Sequence, residues 1–66
     1  MFKSRIKKLM EQEGFSIRTL AAYADLSTRT VEKARTDDGI AECRLSTLRR
    51  IATALDVEVK ELFEEA

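Results

Sequence analysis

The stretch Ser16-Ile-Arg-Thr-Leu-Ala-Ala-Tyr-Ala-Asp-Leu-Ser-Thr-Arg-Thr-Val-Glu-Lys-Ala-Arg-Thr36 decides how the chain is read. Ile17, Leu20, Ala21 and Ala24 fall at i, i+3, i+4 and i+7, the apolar stripe of a helix. Ser16 has N-cap chemistry, and Phe15 with Leu20 has the spacing of a hydrophobic staple. The stripe breaks at Asp25-Leu26, where Asp25 suits a turn position with positive φ. Ser27 can cap a second helix over 28–35, with Val31 and Ala34 facing inward. Two short helices across so tight a turn predict a helix-turn-helix. Ala21 is small enough to let the second helix cross closely over the first, and Leu26 can plug the angle between them. The outward residues of the second helix are Thr28, Arg29, Glu32 and Lys33, all able to hydrogen-bond and two of them cationic. That face is the one a recognition helix presents to base edges in the major groove. Arg29 can read guanine O6 and N7 bidentately, and Thr28 can hydrogen-bond or touch a thymine methyl.

Outward from the motif, the flanks supply phosphate candidates. Ser16, the Ile17 main-chain N–H and Arg18 lie at a helix N-terminus, where orphan N–H groups favour anions. Ser27 and Thr30 flank the recognition helix, and Arg44 lies beyond it on the same expected side. Tyr23 can pack its ring and expose its hydroxyl.

Phe2, Ile6, Leu9 and Met10 predict a first helix over 2–13, ended by Gly14 in a left-handed conformation. Lys3, Arg5, Lys7 and Lys8 crowd its start, where cations oppose the helix dipole. They read as a solvated face or as contacts to a nucleic-acid backbone. Asp37-Asp38-Gly39 is expected to end the recognition helix and open a loop running to Cys43. Leu45, Leu48, Ile51, Ala52 and Leu55 predict a helix over 45–55, stopped at Asp56. Val57, Val59, Leu62 and Phe63 predict a short last helix with an acidic exterior. Its apolar side exceeds what a terminal turn requires, so part of it is a candidate self-complementary surface.

Composition narrows the function. Sixty-six residues are read as a single domain, 1–66, with a small core and no room for a separate sensor. Proline is absent, glycine occurs twice and strand-like alternation is lacking, so the expected fold is all-α. The absence of histidine removes the Ser-His and Cys-His nucleophile pairs, and one cysteine cannot build a thiolate zinc cage. No enzymatic activity, metal, cofactor or small-molecule ligand is therefore expected. There is no apolar run of membrane-spanning length, and the lone Cys43 suits a reducing cytoplasm. Zero net charge is unusual for a nucleic-acid binder, but it is unevenly distributed. Residues 1–35 hold eight Lys/Arg and four Asp/Glu, and residues 36–66 hold four and eight, a polarity of +4 against −4. The basic half contains the motif.

With both halves in view, Lys3 to Phe63 resembles the lambda-repressor-like family of Cro, phage repressor and XRE-type regulators. The carrying residues are Ser16 to Thr36 and the run Leu45-Ser-Thr-Leu-Arg-Arg-Ile-Ala-Thr-Ala-Leu-Asp-Val-Glu-Val-Lys-Glu-Leu-Phe63. The resemblance implies a compact five-helix domain, with the helix-turn-helix at helices two and three, that binds double-stranded operator DNA as a homodimer. It places Ser27, Thr28, Arg29, Glu32 and Lys33 at major-groove positions and Ser16, Ile17 (through its backbone N–H), Thr30 and Arg44 at backbone-contact positions. It places Val57, Val59 and Phe63 at the dimer contact. It implies a bacterial or phage-encoded cytoplasmic regulator that acts as a repressor. The sequence departs from the family pattern where a Gln commonly starts the motif's first helix (Ile17) and where the turn carries Gly (Asp25). The family's Arg–Glu pair is replaced by Met10 and Arg35. The rival reading is an interaction module, an antitoxin or adaptor that uses the acidic tail and the Ile40 segment to hold a protein partner.

Overall fold

The computed structural model describes residues 2–65. Its elements, in chain order, are β1 (Phe2–Ser4), α1 (Ile6–Glu13), α2 (Ile17–Ala24), α3 (Thr28–Ala34), α4 (Asp37–Ala41) and α5 (Leu45–Leu55). A 3-10 turn (Val59–Glu61) and β2 (Phe63–Glu65) follow. The fold is all-α in class, with five α-helices among the described residues and one two-stranded antiparallel ribbon joining the chain ends.

The central elements form for the local reasons the sequence carries. Ser16 Oγ accepts from Thr19 N at 3.1 Å to cap α2, and Ser27 Oγ accepts from Thr30 N at 3.1 Å to cap α3. Gly14 ends α1 at φ 72°, and Asp25 and Asp56 end α2 and α5 at φ 57° each. Aspartate tolerates that left-handed region because its short polar side chain clashes little with the backbone. The inward stripes meet in one cluster: Ile6, Leu20, Val31, Ile51 and Leu62 are sealed from solvent, with Met10, Ala21, Ala34, Ile40, Leu48, Ala52 and Leu55 around them.

Three expectations are corrected. The first helix does not begin at Phe2. Ser4 N donates to Asp37 Oδ1 at 2.8 Å, Arg5 N donates to Leu62 O at 2.8 Å and Ser4 Oγ donates to Ala34 O at 2.7 Å. Those distant partners hold Phe2–Ser4 extended, and α1 starts at Ile6.

The segment from Asp37 is not a loop. Thr36 Oγ1 accepts from Gly39 N at 2.9 Å and donates to Lys33 O at 2.9 Å, so Thr36 caps α4. Asp37 and Asp38 lie in its first turn, where carboxylates suit the helix dipole. Gly39 does not stop α3, which ends at Ala34. It is buried, and a Cβ there would collide with the backbone of Lys33, so glycine is what lets α4 fold back on α3.

The last helix is replaced by the 3-10 turn and β2. Glu58 and Glu61 cap that turn reciprocally, with Glu58 N donating to Glu61 Oε2 at 2.7 Å. Phe63 then faces Ser4 across the ribbon, Lys3 faces Glu64 and Phe2 faces Glu65. The Phe2 and Phe63 rings meet edge to face with centroids 5.2 Å apart.

Candidate nucleic-acid interface

The turn between α2 and α3 is held from both sides. Leu26 N donates to Ala21 O at 2.9 Å and its side chain packs on the core, as expected for the plug of the angle. From α5, Arg50 donates through Nη1 to Asp25 O at 3.2 Å and lies 3.7 Å from Asp25 Oδ2. On its own helix Arg50 is an outward, exposed cation. Its role as a clamp on the turn depends on a residue 25 positions away, and no local pattern announces it.

With Val31 and Ala34 fully buried, α3 has one orientation, and Thr28, Arg29, Glu32 and Lys33 all stand exposed on its outer side. Lys33 Nζ is 3.3 Å from Glu42 Oε1, at the end of α4. Arg29 makes no ion pair among the described residues.

The backbone candidates divide into two kinds. Arg18 and Arg44 are exposed, and Arg44 precedes α5 without using its side chain as a cap. Ile17 is half-buried with its side chain against the core, so only its main chain can serve an anion. Ser16, Ser27 and Thr30 already make local hydrogen bonds, and each Ser–Thr hydroxyl pair keeps one O–H to donate. Ser27 Oγ and Thr30 Oγ1 are 2.9 Å apart, as are Ser16 Oγ and Thr19 Oγ1. Their hydroxyls stiffen the first turns of α2 and α3. Tyr23 is 68% exposed, its ring tilted against Phe15 at 5.4 Å.

Two cations not singled out individually for this surface lie beside it. Lys7 of α1 and Arg35 line a shallow cleft with Glu32 and Thr36 along the flank of α3. Arg35 Nε is buried there without a hydrogen-bond partner. The amphipathic spacing of α1 put Lys7 outward, but only the packing of the helices brings it next to Glu32.

The dimer candidates lie elsewhere. Val57, Val59 and Phe63 are half-buried against the outside of the core, Phe63 in β2 rather than on a helix. A groove beside Phe63 is lined by Phe2, Ile40, Ala41, Cys43 and Leu48. Cys43 is half-buried, its thiol 3.4 Å from Gly39 O. Burial pushes its pKa up, Lys33 pulls it down and Glu42 raises it further.

An outward polar helix set on a clamped turn is the geometry of a DNA reader, and comparison with known families agrees. Residues 5–64 match the model of the Cro/C1-type HTH DNA-binding domain. The chain belongs to that family. No curated protein matches this Cro/C1-type chain significantly. The match covers every element from α1 to the start of β2, so the helix-turn-helix at α2 and α3 is a DNA-binding one. The family is defined by DNA binding rather than by catalysis. Among the described residues, no helix is long and apolar enough to cross a membrane, and no group of three or more Cys, Asp or Glu side chains is placed to hold a metal.

Proposed function

We propose that the chain is a sequence-specific transcriptional regulator that represses by occupying a promoter. In this reading α3 enters the major groove, with Thr28, Arg29, Glu32 and Lys33 at base edges. Ser16, the Ile17 main chain, Arg18, Ser27, Thr30 and Arg44 meet phosphates. The observation that supports it is the sidedness of α3: two fully buried residues inside, four exposed hydrogen-bonding residues outside. The chain acts as one unit and binds a two-fold symmetric operator as a homodimer, with Val57, Val59 and Phe63 at the contact. Recognition helices about 34 Å apart then reach successive major grooves on one side of the duplex. A reducing cytoplasm, bacterial or phage-encoded, is the setting.

The test is selection from a random duplex pool at near-physiological salt. A two-fold symmetric consensus is the expected result. Absence of any enriched sequence overturns the reading and favours an adaptor that holds a protein partner. Sedimentation of the protein with the selected duplex then gives the stoichiometry, expected at two chains per site.

A further inference from the structure

Lys33 is the recognition-helix cation whose position carries information the proposed function does not use. It sits in the last turn of α3, and its ammonium lies 3.3 Å from Glu42 Oε1. Glu42 is the residue that ends α4. A carboxylate at a helix C-terminus meets the negative end of the dipole, so Glu42 does not serve α4 by being there. Nor does the pair add much to the fold, because both side chains are open to water, 51% and 71% exposed. What the pair does is neutralise one of the two cations on the outer side of α3.

We propose that Glu42 is a selectivity residue: an internal anion that occupies Lys33 and withholds it from phosphates until a base-edge acceptor draws it away. This rests on the reading of α3 as the recognition helix. To meet a phosphate on a random duplex, Lys33 must first give up Glu42, so the ion pair lost offsets the gain from that contact. The non-operator complex therefore forms without the counterion release that Lys33 would contribute. The arrangement also requires that α4 be a helix, since Thr36 and Gly39 hold α4 against Lys33 and so bring Glu42 within reach.

The experiment measures binding to a duplex of random sequence across a salt series for wild type, Glu42→Gln, Lys33→Gln and the double variant. Glu42→Gln is expected to tighten non-operator binding about two- to five-fold and to steepen the slope of log K against log salt by about 0.9, one phosphate's worth. In the Lys33→Gln background the same change is expected to alter neither by more than a small fraction of that. Circular dichroism melting checks that all four proteins fold, which exposed substitutions allow. An unchanged slope in Glu42→Gln overturns the proposal, as does an equal gain with and without Lys33, which would make Glu42 a general repulsive charge. Either result, with a selected operator still bound, leaves the regulator reading standing. Failure of the wild type to bind any duplex at low salt overturns both.

Discussion

At Gly39 a single missing methyl group decides how two helices meet. A Cβ there meets Lys33 main-chain atoms and Thr36 Oγ1, so the main chain of α3 would have to shift to accept it. Gly39→Ala should therefore destabilise the protein by about 2–3 kcal/mol in spite of alanine's better helix propensity. Urea denaturation measures this, and an unchanged midpoint would contradict the packing described. Cys43 makes the opposite kind of prediction, about chemistry rather than volume. Burial raises its pKa, so less thiolate is present in the folded protein than in the unfolded chain at any given pH. Its reaction with a disulfide reagent near pH 8 should be slower folded than in denaturant, and equal rates would place the thiol in open solvent. The residues that were legible in the sequence are those whose role is local. Gly14, Asp25, Ser16 and Ser27 act on N–H groups or φ angles within a few positions of themselves. Arg50 and Glu42 act across the fold, and nothing next to them in the chain reports it.

At the scale of elements, α2, α3 and α5 follow from their periodicity because each contributes a full stripe to one core. α4 was hidden because five residues are too few for a period, and its cap, Thr36, stood at the supposed end of another helix. β1 and β2 were hidden for the same reason, since three residues cannot show alternation. Phe2 and Ile6 even share helical spacing, but pairing with β2 and the capture of Ser4 and Arg5 by Asp37, Ala34 and Leu62 keep Phe2–Ser4 out of α1. The exposure of the outer side of α3 is nevertheless legible in the sequence, because Val31 and Ala34 fix its rotation. The stiffness of that helix is testable at its first turn. Ser27 Oγ holds both Thr30 N and Thr30 Oγ1, so Ser27→Ala should cost about 1 kcal/mol of stability, measured by thermal or urea unfolding. A neutral effect would mean that the cap is dispensable.

Over the whole molecule, charge is separated while its sum is zero. The eight cations of residues 1–35 accompany the motif, and the acids Glu58, Glu61, Glu64 and Glu65 gather near the end of the chain. With Lys33 paired to Glu42 and Arg29 assigned to base edges, the cations beside the proposed interface that remain for phosphates are Arg18, Arg44 and the Lys7–Arg35 flank. Per chain, the salt slope for non-operator DNA should accordingly be shallow, about −3 to −4 on a log–log plot. Fluorescence anisotropy over a salt series checks it, and a slope near zero would remove the phosphate contacts from the account. Polarity of this kind gives a weak grip on random DNA and leaves discrimination to the groove.

The central claim is that the exposed side of α3 reads bases, and Arg29 tests it most directly. The measurement is the affinity of wild type and Arg29→Ala for the selected operator and for each single-base-pair variant of it. The account predicts that Arg29→Ala loses about 1–3 kcal/mol on the operator and loses discrimination at one base pair per half-site. A uniform loss at every position, or none, would contradict it.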